Sequence, residues 1–200
     1  MPHRDEIGLI QSLTFRLADS LPQEKLRELA EELQPLPQEQ QNPRRRIKIE
    51  QWLDAGMGGC ALRHPAVAQV MENSLLFGDG TRYRLLAWCI MPNHVHVLIK
   101  PLTALSAVVK AWKSFTAHWA LAHWNSLGAP SSPTACAKKP TRTSAPPEHF
   151  WQREVWDRYL RDERHWHATI EYIHNNPVQA GLCQTPAQWH WSSAYGTHSR

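Results

Sequence analysis

The chain has 200 residues, of which 42% are hydrophobic, and this is enough to build one domain with a real core. It contains no run of about 18 apolar residues, and its first nine residues carry charges where a signal peptide needs an apolar stretch, so we expect a soluble, cytoplasmic protein without membrane contact. The net charge of +4 weakly favours a polyanionic partner, because lysine and arginine neutralise phosphates. The four cysteines form no Cys-x-x-Cys pair, so we expect free thiols rather than a zinc knuckle or a disulfide framework.

The first half of the chain predicts one strand and several helices. Residues 12–18 alternate apolar and polar side chains, as a half-buried strand does. Residues 23–33 and 65–77 have apolar side chains at helical spacing. Between them, residues 34–46 are predicted to be a Pro/Gln-rich connection that ends in three arginines, and residues 47–55 are predicted to be helical.

The second half begins with the densest strand pattern. Two apolar runs, 83–90 and 94–99, flank a Pro-Asn turn and predict an antiparallel hairpin. A long helix over 105–124, a strand over 155–160 and a helix over 162–176 that ends before Pro177 are predicted to follow. Residues 126–148 are rich in Pro, Ser and Thr and predict a flexible insertion. We therefore predict one domain over 1–200, with N-terminal helical additions over 22–77.

A His-x-His triplet opens the second strand of this hairpin. Residues two apart in a strand face the same side, so His94 and His96 are placed to bind one ion. Because a chain with 12 histidines in 200 residues contains such a triplet about 0.7 times by chance, packing or a surface role remains an alternative. The second triplet, at His165 and His167, lies in a predicted helix, where the two side chains diverge by about 200°.

Tyr172 and Asn176 lie one turn apart on the last predicted helix and share a face. A tyrosine at the edge of the core and an asparagine that caps the helix are the structural alternatives. Together with the histidine pair, these residues suggest a mechanism. Two neutral imidazoles and an amide oxygen suit Mg²⁺ or Mn²⁺, and such an ion would polarise a phosphodiester for in-line attack by the phenol of Tyr172.

Several longer motifs resemble those of one family, the REP-associated tyrosine transposases, which are relatives of the single-tyrosine insertion-sequence transposases of the HUH type. The resemblance runs in the family's order from residues 13–20 to residues 189–193 and covers most of the chain. The motifs that carry it are MPNHVHVLI from Met91, WKSFT from Trp112, FWQRE from Phe150, DRYLRD from Asp157 and YIHNNPVQAG from Tyr172.

The resemblance implies an α+β fold, with a central antiparallel sheet flanked by helices and a ferredoxin- or RRM-like core. It implies that His94 and His96 hold the metal, that Asn176 completes its coordination, and that Tyr172 is the nucleophile. Cleavage in such families leaves a 5′-phosphotyrosine and a free 3′-hydroxyl, and the substrate is a hairpin of repetitive extragenic palindromic (REP) DNA. Such a protein would be associated with the nucleoid.

Basic and aromatic residues near the expected site are candidate DNA contacts. Base stacking is one use for a tryptophan beside basic residues, and core packing is the other and more frequent use. The candidates are Arg44, Arg45, Lys110, Lys113, Trp151 and Arg158.

Two other functions remain open. The chain could be a domesticated protein that binds hairpins without cleaving them, or a metal-dependent phosphodiesterase that uses water and does not need Tyr172. The choice between Mg²⁺ and Mn²⁺, and between a monomer and a homodimer, also remains open at this point.

Overall fold

The computed structural model describes residues 7–127, 146–160 and 162–196. Its centre is a four-stranded antiparallel sheet with the order β2-β3-β1-β4. The strands are β1 (Gln11–Arg16), β2 (Tyr83–Ile90), β3 (His94–Pro101) and β4 (Trp156–Tyr159). The helices are α1 (Gln23–Leu33), α2 (Gln38–Asp54), α3 (Pro65–Phe77), α4 (Leu105–Ala122) and α5 (Glu163–Gln179). This arrangement confirms the predicted α+β fold.

The two faces of the sheet are covered by different helices. Alternate residues of the strands, such as Phe15, Val95 and Val97, pack with α3 and α4 in the main core. The opposite residues, such as Leu98, form a smaller core with Ile173 of α5. Since His94 and His96 share their side of β3 with Leu98, both point to the face of the sheet that α5 covers.

The N-terminal helices α1 and α2 pack against each other around an apolar cluster of their own. Leu29 and Leu33 of α1 pack against Ile49 and Leu53 of α2, and Trp156 of β4 borders this cluster. The pair therefore docks beside the β1–β4 edge, and the last turn of α2 reaches the start of β3.

The prediction that residues 34–46 form a connection was wrong, because α2 already begins at Gln38. Pro43 lies inside this helix, but in its second turn, where it removes a single hydrogen bond. The glutamines and arginines around it favour a helix, and the buried side chains of Ile49 and Leu53 anchor the helix to the rest of the molecule.

Pro177 also lies inside a helix, since α5 continues to Gln179 instead of ending before the proline. The predicted strand and helix bounds otherwise agree with the structure to within about two residues. Most of the predicted insertion lies outside the described residues. Cys60 is disulfide-bonded, contrary to the expectation of free thiols, whereas Cys89 and Cys183 are free. Among the described residues, no helix has the length and apolarity to cross a membrane.

Candidate metal centre and nucleophile

The two histidines of β3 form a buried pair. Each side chain is about 1% exposed, and the Nε2 atoms of His94 and His96 lie 2.9 Å apart with the rings perpendicular. The other ring nitrogens have partners of their own. Nδ1 of His94 lies 2.7 Å from Oδ1 of Asn93, and Nδ1 of His96 lies 3.0 Å from Oγ1 of Thr14 on β1. Both Nε2 atoms therefore converge on one point.

Helix α5 places Tyr172 and Asn176 beside this pair. The ring centroids of Tyr172 and His96 are 5.4 Å apart, and Tyr172 is 36% exposed, so solvent or a substrate can reach it. Asn176, one turn later, is fully buried, and its Nδ2 donates to the backbone oxygen of Tyr172 at 3.3 Å. The docking of Ile173 against the sheet holds both side chains on the histidine side.

Asp54 joins the site from α2. Its Oδ1 lies 3.6 Å from Nε2 of His94, and the ligand atoms of Asp54, His94 and His96 all lie within 4.8 Å of one another. No motif in the sequence pointed to this residue. An aspartate at the end of a helix, two positions before a glycine, has no distinctive local pattern, and it lies 40 positions before His94 in the chain.

Burial keeps both histidines neutral. It lowers the pKa of His96 to about 3, with a smaller contribution of the same sign from Arg46 and an opposing one from the neighbouring side chain of Asn176. Burial, together with the neighbouring His96, lowers the pKa of His94 well below its usual value. Neutral imidazoles have a lone pair to donate, which is the state that binds a metal ion.

Burial acts in the opposite direction on the acidic groups. It raises the pKa of Asp54 to about 6, and the nearby Glu50 adds to the rise. It also raises the pKa of Tyr172 to about 12, although a hydrogen bond with Asn176 and the charge of Arg46 partly offset the rise. Tyr172 is therefore a neutral phenol at pH 7.

The residues present fit a divalent cation. Oδ1 of Asp54 and Oδ1 of Asn176 are both buried and have no hydrogen-bond partner among the described residues. Proteins seldom bury oxygen acceptors without a partner, and a cation supplies one. The 2.9 Å between the two Nε2 atoms is also close to the roughly 3 Å expected for two ligands at right angles and about 2.1 Å from an octahedral ion.

The basic residues predicted to touch DNA are divided between the two sides of the sheet. Arg44 and Arg45 are exposed on α2. Arg158 is exposed on β4 and is paired with Ser12 of β1. Ser12 lies on the same side of β1 as Thr14, which is paired with His96, so Arg158 is on the face of the sheet that carries the histidines. Arg46, which the sequence analysis did not single out, pairs with Glu50 and influences the pKa values of His96 and Tyr172.

The other three candidate contacts occupy different environments. Lys110 is exposed on α4, the helix that covers the opposite face of the sheet. Lys113 donates to the backbone oxygens of Gln152 and Arg153, at 2.6 Å and 3.1 Å, and so ties this segment to α4. Trp151 is 6% exposed and packs edge-on against Phe15. Its ring is part of the main core and is therefore not available for base stacking.

The antiparallel sheet with a histidine pair on one strand and a tyrosine on the helix above it agrees with a match to a family of transposases. Residues 77–176, half of the chain, match the family described as "Transposase IS200 like", and the chain belongs to that family. The matched residues include His94, His96, Tyr172 and Asn176. Asp54 and the whole of the α1–α2 pair lie before them.

Two more specific similarities agree with the predicted resemblance. A relative from Haemophilus influenzae described as a REP-associated tyrosine transposase is 24% identical over 113 residues. These residues are 56% of this chain and 58% of the relative, so the match spans less than two thirds of the relative's length. A solved structure of a REP-associated tyrosine transposase bound to a REP hairpin has the same fold, with a TM-score of 0.59 at 14% identity, over 100% of this chain and 85% of that chain.

Proposed function

We propose that this protein cleaves and rejoins single-stranded DNA at hairpins of the REP type, with Tyr172 as the nucleophile. One observation carries the proposal: the paired Nε2 atoms of His94 and His96 lie beside the ring of a partly exposed tyrosine, 5.4 Å from His96. A protein that only binds hairpins has no need of this combination. The hairpin-bound relative supports REP DNA as the class of substrate.

Cleavage would proceed by in-line displacement at one phosphodiester. The phenolic oxygen of Tyr172 bonds to phosphorus and loses its proton, while the bond from phosphorus to the 3′ oxygen breaks and the released 3′ oxygen takes up a proton. The products are a 5′-phosphotyrosine and a free 3′-hydroxyl. Attack by a 3′-hydroxyl on the phosphotyrosine reverses these steps and rejoins DNA without ATP.

The site would hold the metal through His94 and His96, with oxygen from Asp54 and Asn176. A bound Mg²⁺ or Mn²⁺ ion would supply Lewis-acid polarisation of the phosphate and stabilise charge on the leaving oxygen. The neutral imidazoles and the two buried oxygens without partners support this set of ligands. Asn176, which the sequence suggested as the third ligand, thereby shares the oxygen side of the site with Asp54.

The surface around the site would hold the DNA backbone. Arg44, Arg45 and Arg158 are exposed, and Arg46 lies close enough to Tyr172 to influence its pKa. Arginine pairs with phosphate through charge-assisted hydrogen bonds, so these residues would position the strand without reading its sequence.

The first test detects the covalent intermediate. The protein is incubated with labelled single-stranded REP hairpins and Mn²⁺, and the products are separated by denaturing electrophoresis. We expect a protein–DNA adduct that is absent with Tyr172→Phe and after addition of chelator. Tyr195→Phe is the matched control, because Tyr195 is exposed and its ring contacts His190 rather than the site.

Two results would contradict the proposal. Cleavage by Tyr172→Phe at the wild-type rate and without an adduct would show that water is the nucleophile and the protein a phosphodiesterase. Binding of the hairpins by wild type without cleavage or adduct, across hairpins drawn from the host's own repeats, would favour the non-catalytic binding protein.

A further inference from the structure

Asn93, the residue immediately before the histidine pair, makes three side-chain hydrogen bonds inside the protein. It is fully buried in the turn between β2 and β3. Its Nδ2 donates to the backbone oxygen of Leu53 at 3.1 Å and to that of Met57 at 3.2 Å. Its Oδ1 lies 2.7 Å from Nδ1 of His94. The sequence predicted only a place in a turn for Asn93.

We infer that Asn93 is a positioning residue that holds His94 in one tautomer and ties the end of α2 to the metal-facing side of β3. Two backbone oxygens accept from the amide nitrogen, so the carboxamide has one orientation and its oxygen faces His94. A carbonyl oxygen 2.7 Å from a ring nitrogen needs a proton between them, so Nδ1 of His94 carries it. Its Nε2 then has the lone pair that a metal ion needs.

The tautomer of His96 is not fixed in this way, because the hydroxyl of Thr14 can act as a donor or as an acceptor. A threonine hydroxyl both donates and accepts, so Thr14 is compatible with a proton on either ring nitrogen of His96. Without metal, the 2.9 Å contact between the two Nε2 atoms requires one proton, and only His96 can supply it. A bound metal ion would need the lone pairs of both Nε2 atoms, and the neutral His96 would then carry its proton on Nδ1 and donate it to Thr14.

The side-chain amide of Asn93 also helps to position Asp54, the acidic residue of the site. Leu53, whose backbone oxygen accepts from Asn93, directly precedes Asp54, so one side chain bonds both to His94 and to the turn of helix that carries Asp54. The pairing therefore brings α2 and β3 together at the point where Oδ1 of Asp54 approaches Nε2 of His94 to 3.6 Å. Partners that orient metal ligands in this way contribute about 10- to 100-fold to metal affinity.

This inference rests on the proposed function, since it assigns Asn93 to the metal site that function needs. Its first test uses the unaltered protein. The ¹⁵N shifts of the histidine side chains are recorded by NMR in metal-free protein and after addition of a diamagnetic divalent ion, Mg²⁺. We expect His94 with its proton on Nδ1 in both states, and His96 to change from the Nε2–H to the Nδ1–H form. His94 with its proton on Nε2 in the metal-free protein would overturn the assignment.

The second test removes the carboxamide. Asn93→Ala is expected to give a mixture of His94 tautomers and to bind Mn²⁺ about 10- to 100-fold more weakly, measured by calorimetry on folded, metal-free protein. Asn73→Ala, at an exposed asparagine on α3, is the matched control and should leave both readouts unchanged. An Asn93→Ala protein with the wild-type tautomer and Mn²⁺ affinity would refute the role. If this variant does not fold, Asn93→Ser replaces it, and the wild-type NMR result still decides.

The two proposals can fail separately. An adduct at Tyr172 in a protein whose His94 carries its proton on Nε2 would leave the function standing and overturn the role of Asn93. A protein without any adduct, whose His94 is held in the Nδ1–H form and loses this preference in Asn93→Ala, would do the reverse.

Discussion

At the scale of single residues, the site concentrates groups that are costly to bury. The imidazoles of His94 and His96 are buried, and so are Oδ1 of Asp54 and Oδ1 of Asn176, which have no hydrogen-bond partner among the described residues. Burying a polar group without a partner costs roughly 1–3 kcal/mol, and the fold has to offset this cost elsewhere. The sequence alone indicated the histidine pair, but not Asp54, because nothing within a few positions of Asp54 distinguishes it from other helix-terminal aspartates.

The depressed pKa of His96 makes stability depend on pH. Between about pH 3 and 6.5 the unfolded chain binds a proton at His96 that the folded protein does not bind, so acidification favours unfolding. We expect the free energy of unfolding of the metal-free protein to fall by about 1.4 kcal/mol per pH unit from His96 in this range. The term from His94 has the same sign, whereas the raised pKa of Asp54 acts in the opposite direction below about pH 6.

The measurement compares wild type with His96→Gln by chemical denaturation at several pH values in the presence of chelator. The variant should have a pH slope smaller by about one proton, since the terms from His94 and Asp54 are common to both proteins. Equal slopes would mean that His96 titrates in the folded protein much as it does in the unfolded chain.

At the scale of elements, the α1–α2 pair carries Asp54 to a site built mainly from the sheet and α5. Its apolar cluster is separate from the main core and contacts the sheet at Trp156 of β4. The helical spacing of α1 was readable from the sequence. The start of α2 was not, because Pro43 suggested a break that packing of Ile49 and Leu53 outweighs.

A cavity in this small cluster should weaken the metal site. Leu29→Ala is expected to cost about 2–5 kcal/mol and to lower Mn²⁺ affinity, because α1 no longer holds α2 and Asp54 in place. Leu75→Ala creates a similar cavity in the main core beneath α3 and should destabilise the protein while leaving Mn²⁺ affinity unchanged at temperatures where it is folded. Calorimetric titration of both variants provides the comparison, and equal losses of affinity would contradict the local role of the α1–α2 pair.

The junction of α3 and β2 depends on one buried hydroxyl. Oη of Tyr83 donates to the backbone oxygen of Leu75 at 2.6 Å and accepts from Nε1 of Trp112 at 3.0 Å and from the amide of Gly78 at 3.2 Å. A Cβ at Gly78 would lie only 2.6 Å from the Tyr83 ring, so this position has room only for glycine.

Tyr83→Phe would therefore leave Nε1 of Trp112 without its partner, whereas the amide of Gly78 also donates to the backbone oxygen of Leu76. We expect this variant to be about 1–3 kcal/mol less stable than wild type in urea denaturation, because a buried donor without a partner costs roughly that much. Tyr195→Phe, at an exposed tyrosine, should change stability by less than about 0.5 kcal/mol. A small effect at Tyr83 would mean that water replaces its hydroxyl.

At the scale of the whole molecule, the net charge of +4 does not indicate where DNA binds, but the positions of the arginines do suggest a surface. Arg44 and Arg45 extend from α2 toward solvent, near the site, whereas Lys110 lies across the sheet from it. The organisation of residues 1–200 as one domain stays a prediction. The protein is predicted to be either a monomer or a homodimer.

Salt dependence of hairpin binding tests this surface. Removing two phosphate contacts with Arg44→Gln and Arg45→Gln should reduce the slope of log affinity against log salt by about 1.4 to 1.8, at 0.7 to 0.9 per contact. The control changes the same charge with Arg84→Gln and Lys100→Gln, a cross-strand pair about 20 Å along β3 from His94. Equal changes in slope from the two pairs would show a diffuse effect of charge rather than a binding surface on α2.

Local periodicity was enough to predict which side chains share a face of a strand or helix. The alternation of a strand puts His94 and His96 on one side, and the turn of a helix puts Tyr172 and Asn176 on one face, whatever surrounds them. Only the tertiary structure decided which of these faces meet. Docking of Ile173 on the sheet brings Tyr172 to His96, and the α1–α2 pair brings Asp54 to His94 across 40 residues of chain. Such contacts depend on how apolar surfaces from distant segments fill shared space, and no short stretch of sequence contains that information.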